Sequence, residues 1–183
     1  MEKAVFIDRD GTINYDPGYL GDPDKVKIYP DVINSIKELK DKYNLKIIVI
    51  SNQAGIARGL ISHKDVQLVN DRINNYFIAK GTRIDAFYYC PYHPDFNAPE
   101  QCSCRKPSPE MLLNASIKHN IDLKKSFMVG DMESDIIAGI NAGVKTIMIK
   151  YHLLQNELSK IKTRADFKTN NFPEVNNFII ENI

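Results

Sequence analysis

Short apolar runs recur along this chain, and most of them stop abruptly at polar residues. Residues 4–7 (Ala-Val-Phe-Ile) stop at Asp8, residues 46–50 at Ser51-Asn52, and residues 126–129 at Gly130-Asp131. Residues 86–89 and 144–149 are runs of the same kind. Such short, continuous apolar runs read as strands buried on both faces. Helical patterns alternate with them. Pro30-Asp31 opens one with Val32, Ile33, Ile36, Leu39 and Tyr43 on a single face. Residues 63–80 form a second, closed by Gly81; residues 110–119 a third; residues 135–142 a fourth, closed by Gly143. A short strand near 165–168 and a last helix from about Pro173 complete the chain. The alternation predicts an α/β fold, doubly wound, with a mainly parallel sheet and helices on both faces. In such sheets chemistry gathers beyond the carboxyl ends of the strands.

The chain has 183 residues and no internal repeat, low-complexity tract or Ser/Gly linker, so residues 1–183 are expected to form one domain. With 24 Lys plus Arg against 23 Asp plus Glu, the formal charge of +1 offers no electrostatic footprint for nucleic acid or an anionic membrane. The longest aliphatic run, residues 47–50, is far too short to cross a bilayer, and no secretory apolar segment opens the chain. A soluble cytoplasmic monomer is the expectation.

The strand ends hold the reactive groups. The first delivers Asp8-Arg9-Asp10-Gly11-Thr12, the second Ser51-Asn52-Gln53, and the fourth Gly130-Asp131 with Asp135 a turn later; Arg105-Lys106-Pro107 precedes the third helix. Taken singly, Asp-Gly reads as a turn, Lys106 as a solvated charge, and Asp131 as a helix cap. A parallel sheet brings all of them to one edge, where crowded carboxylates repel unless a cation joins them. An all-oxygen set suits Mg²⁺, which shares its shell with a phosphate. A carboxylate beside Mg²⁺ and Lys106 can attack phosphorus, and Asp10 can act as acid and then base. The Ser51 hydroxyl and nearby backbone N–H groups can hold the phosphoryl oxygens.

These segments, with "GYL" at 18–20, "SNQAGIARG" at 51–59, "CSCRKPSPEML" at 102–112 and "MVGDMESDIIAG" at 128–139, resemble the haloacid dehalogenase-like phosphatases. The resemblance is nearest to the branch of heptose bisphosphate and histidinol phosphatases, and it runs from about residue 4 to residue 150. It implies an aspartyl-phosphate mechanism. Asp8 corresponds to the nucleophile, Asp10 to the acid/base, and Ser51 and Lys106 to the groups that stabilise the phosphoryl unit. Asp8, Asp131 and the backbone carbonyl of Asp10 correspond to the Mg²⁺ ligands, with Asp135 behind them. Asp16, Pro17, Gly18, Tyr19, Asn52, Gln53, Ala54 and Arg105 are then expected around substrate. The family usually carries Thr where this chain has Ser51; the hydroxyl is retained.

All three cysteines lie between Cys90 and Cys104, in a proline-rich loop. With His93, Cys90, Cys102 and Cys104 make a Cys₃His set of the kind that binds structural Zn²⁺, and the resembling family has a zinc loop here. Its histidine most often stands two places after the first cysteine, where this chain has Tyr92. Either the loop shifts to present His93, or the site is weakened or lost. A zinc loop over about 90–105 is the expectation, with three reduced cysteines as the alternative.

The stretch from Asp8 to Ser51 is used up by one loop, one helix and one strand. The stretch from Ser51 to Lys106 is used by a helix, a strand and the cysteine loop. No cap domain is expected, and loops at 11–29, 54–62 and 90–105 should wall the site. The expected partner is a small phosphorylated substrate, a sugar bisphosphate, with histidinol phosphate as the alternative. A phospho-accepting receiver module is a further alternative; it is disfavoured because its acceptor Asp would end a middle strand, whereas here Asp8 ends the first.

Overall fold

A computed structural model describes residues 1–183. Six strands, β1 (Ala4–Ile7), β2 (Lys46–Asn52), β3 (Ala86–Cys90), β4 (Phe127–Gly130), β5 (Lys145–Ile149) and β6 (Phe167–Thr169), form one parallel sheet in the order β3-β2-β1-β4-β5-β6. The helices are α1 (Val32–Tyr43), α2 (His63–Ile78), α3 (Glu110–His119), α4 (Glu133–Ala142), α5 (Gln155–Leu158) and α6 (Phe172–Glu181).

The two-residue period of a strand sends alternate side chains to opposite faces. Val5, Ile7, Ile47 and Val49 pack with Val32, Ile36 and Leu39 of α1, Val69, Ile73 and Phe77 of α2, and Val175 and Ile179 of α6. Ala4, Phe6, Ile48, Ile50 and Met128 pack with Met111, Leu112 and Ala115 of α3 and Ala138 and Ala142 of α4. Two buried apolar layers therefore clamp the sheet, as the unbroken apolar strands predict. Each fully buried Ile or Phe contributes about 1.5–3 kcal/mol of burial free energy.

From β1 the chain winds outward to β2 and β3, then returns to β4 on the other side of β1. That reversal opens a crevice between the carboxyl ends of β1 and β4. It also corrects one expectation: β1 is first in the chain but third across the sheet, so Asp8 does end a middle strand. Position along the chain is no guide to position in a wound sheet.

β2 runs two residues beyond its expected end because Ser51 and Asn52 still pair with Tyr89 and Cys90. Between β1 and β2 lie only a 3₁₀ turn (Pro23–Lys25) and α1. This excursion is pinned by packed aromatics, with ring centroids 4.0 Å apart for the tilted pair Tyr15–Tyr29 and 3.8 Å for the stacked pair Tyr29–Tyr151. The Tyr151 hydroxyl donates to the Thr12 carbonyl at 2.7 Å. Residues 151–183 complete the sheet with β6 and cover it with α6, as expected. No helix is long and apolar enough to cross a membrane.

Candidate active site

Asp8 leaves β1 still tied to β4, its N–H donating to Val129 O at 2.9 Å. Thr12, Ile13 and Asn14 then fold back to donate to the carbonyl of Arg9. The turn needs glycine at position 11: its φ is +84°, and a Cβ there would lie 2.7 Å from Asp131 Oδ2. Gly130 is needed for a similar reason, since a Cβ would meet the Asp135 side chain at 2.4 Å. The two glycines let two acidic side chains close on the strand ends.

Lys106 is buried among three acceptors, one for each ammonium proton. Its Nζ lies 2.5 Å from Asp8 Oδ1, 2.6 Å from Asp135 Oδ1 and 2.7 Å from the carbonyl of Ile50. Burial alone would lower the lysine pKa, but the charges of Asp135 and Asp8 outweigh it and raise the pKa above the ordinary lysine value. Asn52 holds the lysine backbone from both sides, accepting from Lys106 N at 3.0 Å and donating to Lys106 O at 3.1 Å. The other oxygen of Asp135 accepts from Met132 N at 2.9 Å, at the start of α4.

Asp8, Asp131 and Asp135 each present an oxygen within 4.8 Å of the others. Burial, reinforced by Asp135 and Asp131, pushes the Asp8 carboxyl well up despite Lys106. Burial and then Asp135 push the Asp131 carboxyl up to about 6. Asp131 Oδ1 is buried with no hydrogen-bond partner. An orphaned carboxylate oxygen among crowded acids is what a hard divalent cation satisfies, so the donor set fits such an ion.

Asp10 faces the same crevice under different control. Burial would raise its carboxyl, but the charge and hydrogen bonds of Arg9, with Asn14 and Gln53, hold it below the ordinary carboxylate value. Gln53 Nε2 spans Asp10 Oδ2 at 2.8 Å and Ser51 Oγ at 2.6 Å.

Asp8, Asp10, Ser51, Lys106 and Asp135 line a cavity of about 560 Å³. Three carboxylates, a lysine and a hydroxyl in one crevice, beside a cation-ready Asp131, can bind a phosphate and transfer it.

Residues 103–175 match the profile of the HAD-hydrolase-like family, and residues 2–80 that of mitochondrial PGP phosphatase. A D-glycero-beta-D-manno-heptose-1,7-bisphosphate 7-phosphatase of Helicobacter pylori is 38% identical over 85% of this chain and 86% of its own length. A D-glycero-alpha-D-manno-heptose-1,7-bisphosphate 7-phosphatase of Photorhabdus laumondii is 43% identical over 78% and 79%. The chain belongs to the haloacid dehalogenase-like phosphatases. Among solved structures, a HAD-like phosphatase from Mesorhizobium loti superposes on this phosphatase with a TM-score of 0.81 at 28% identity, covering 98% of this chain and 85% of its own. The D,D-heptose 1,7-bisphosphate phosphatase of B. bronchiseptica, complexed with magnesium and phosphate, has a TM-score of 0.85 at 24% identity and 99% coverage of both chains.

Most residues expected around substrate do line the phosphatase cavity: Asp16, Gly18, Tyr19, Asn52, Gln53, Ala54 and Arg105. Pro17 does not; it turns to an adjoining groove beside Leu20 and Leu60. Asn52 is occupied by the Lys106 backbone, so its side chain positions the lysine. Arg58, Met132 and Ser134 were not singled out from sequence, yet they line the cavity. Arg58 stands at the rim, its guanidinium carbon 5.0 Å from the Phe96 ring centroid and 5.9 Å from that of Tyr19. Its sequence signal is the "SNQAGIARG" segment, whose loop is one of the expected walls of the site.

The Cys₃His zinc set is not assembled. Cys90 and Cys104 are joined in a disulfide with Cα atoms 5.6 Å apart, and Cys102 is free. A disulfide sulfur has no thiolate to offer a metal. His93 faces the substrate cavity, its Nδ1 accepting from Asp95 N at 3.2 Å, while Tyr92 packs on the apolar layer under α3. The physical reason lies in the loop's two ends. The end of β3 and the turn carrying Cys102–Cys104 pack together, which brings two sulfurs within bonding range, while His93 lies on the cavity side of the loop.

Proposed function

We propose that this phosphatase removes the 7-phosphate from D-glycero-D-manno-heptose 1,7-bisphosphate, supplying nucleotide-activated heptose for surface polysaccharide. The observation that carries the reading is the sharing of Lys106 by Asp8 and Asp135 beside the unpartnered oxygen of Asp131. The names of the relatives support the substrate, as does a cavity lined by Arg58, Arg105 and only three hydrophobic residues.

In this reading Asp8 and Asp131, with the carbonyl of Asp10, hold Mg²⁺. Bound there, the ion neutralises phosphate charge and lets a carboxylate approach it. Asp8 attacks phosphorus, the bond to the sugar oxygen breaks, and Asp10 gives that oxygen a proton. The incoming phosphate charge raises the proton affinity of Asp10, which makes its acid form available for this step. Asp10 then takes a proton from water, whose oxygen displaces Asp8 and releases inorganic phosphate. Lys106, the Ser51 hydroxyl and nearby backbone N–H groups hold the phosphoryl oxygens throughout, and Arg105 contacts the sugar side.

The protein acts as a cytoplasmic monomer in this proposal. A reducing compartment would open Cys90–Cys104 and free three thiols for zinc; His93, which faces the cavity, would have to turn toward them to supply the fourth donor. Zinc content after purification under reducing conditions tests that point.

The substrate assignment is tested by kcat/KM on both anomers of heptose 1,7-bisphosphate against histidinol phosphate. A preference for histidinol phosphate overturns it. Asp8→Asn should lower turnover by about a thousandfold or more, as loss of a covalent nucleophile does; retained activity would remove Asp8 from its role.

A further inference from the structure

Arg9 is fully buried, and its guanidinium curls back onto the next residue. Nε lies 3.2 Å from both carboxylate oxygens of Asp10, and one terminal nitrogen 2.9 Å from Oδ2. The other terminal nitrogen donates to Asn70 Oδ1 at 3.0 Å. Asn70 sits on α2, only 4% exposed, and does not line the cavity. Its neighbours on the buried side of the helix are Val66, Val69, Ile73 and Phe77, so it is the polar member of an apolar stripe. A buried amide in such a stripe costs free energy unless it is bonded, and a leucine there would serve packing better. The bond it makes is to the group that holds Asp10.

We infer that Asn70 is a positioning residue for Asp10, acting through Arg9. A guanidinium is a rigid planar fork. Anchored by Asn70 at one end, it fixes the plane of the carboxylate at the other. Asn14 Nδ2, 3.0 Å from Oδ1, and Gln53 Nε2, 2.8 Å from Oδ2, complete the frame. Without Asn70 the fork loses its anchor on the helix, and the carboxyl loses the orientation that delivers a proton to the leaving oxygen. This rests on the acid/base role proposed for Asp10.

The test exploits the leaving group. A sugar alkoxide needs a proton as it departs, whereas p-nitrophenolate does not. Asn70→Leu is expected to lower kcat/KM on the heptose bisphosphate about tenfold, the scale of a misplaced general acid, and on p-nitrophenyl phosphate by no more than about twofold. Asn70→Asp keeps an oxygen acceptor and should restore most of the loss. If Asn70→Leu does not fold, Asn70→Ser, which shortens the side chain away from Arg9, carries the same expectation. Equal losses on both substrates, or no loss, overturn the inference. Asp10→Asn is measured alongside. If it shows the leaving-group dependence and the Asn70 variants do not, the inference alone fails. If Asp10→Asn shows none either, the acid/base reading fails with it.

Discussion

Lys106 Nζ lies 2.5 Å from Asp8 Oδ1, although 98 residues separate the two along the chain. The contact joins the end of the cysteine loop to the end of the first strand. Asp135 and the Ile50 carbonyl take the remaining two ammonium protons. A single side chain thus binds β1, β2 and α4 together at the point where phosphate would enter.

Replacing that lysine should therefore damage both activity and fold. Lys106→Met leaves Asp8 and Asp135 buried without a countercharge, an arrangement that costs about 3–5 kcal/mol when one partner of a buried pair is removed. Loss of a phosphoryl-oxygen donor lowers kcat by about 10²–10³. Urea unfolding and steady-state kinetics read the two effects separately. A variant as stable as the parent would show that the three contacts contribute little.

The pH dependence of stability is set in part by Asp131, whose carboxyl is raised to about 6 by burial and by Asp135. Ionising it costs more in the folded, metal-free protein than in the unfolded chain. Its contribution to stability is complete below the unfolded value of about 4 and is lost as pH rises through the folded value. Asp8, also raised, acts in the same direction. A divalent cation bound between them offsets that loss. Scanning calorimetry should find a larger Mg²⁺-induced rise in Tm at about pH 7.5 than at about pH 5, and an equal rise at both would contradict the assignment.

Gly11→Ala tests how closely the first turn approaches the second acidic loop. The new methyl group would press on Asp131 Oδ2 at a position whose φ is +84°. Strain of this kind costs about 1–3 kcal/mol. Mg²⁺ affinity should fall with it, because the displaced oxygen belongs to the proposed ligand set. Titration of activity against Mg²⁺ measures that loss, and an unchanged half-saturation would place Asp131 outside the metal shell.

The cysteine loop makes a prediction about thiol counts. Protein kept free of reductant should show one titratable thiol, Cys102, and three after reduction. Closing a loop of this size stabilises the folded state by about 3 kcal/mol on the chain-entropy view, so reduction should lower Tm in the absence of zinc. Three thiols before reduction would contradict the disulfide.

Much of the site can be read from single segments. Asp8, Asp10, Ser51 and Asp131 stand at or just beyond the ends of apolar runs, Lys106 stands just ahead of a helix, and the parallel fold that those runs imply brings such positions to one edge. Arg9 could not be found that way. Its fork onto Asp10 depends on a side-chain rotamer, and the fork's anchor, Asn70, lies on a helix whose packing against β1 no local pattern encodes. Residue type and spacing alone put His93 among zinc donors. Its direction depends on how the loop's two ends pack.

Local chemistry thus specifies the elements and their reactive ends, because a run of buried β-branched residues has few conformations open to it and polar residues must end it. Neighbourhood is a different matter. That β1 lies third in the sheet, that Lys106 reaches Asp8, and that Cys90 meets Cys104 rather than joining His93 all follow from long-range burial. Such contacts form only when both faces of the sheet are covered at once. The physical reason is that they depend on which layers exclude water together, a property of the assembled core and of no single segment.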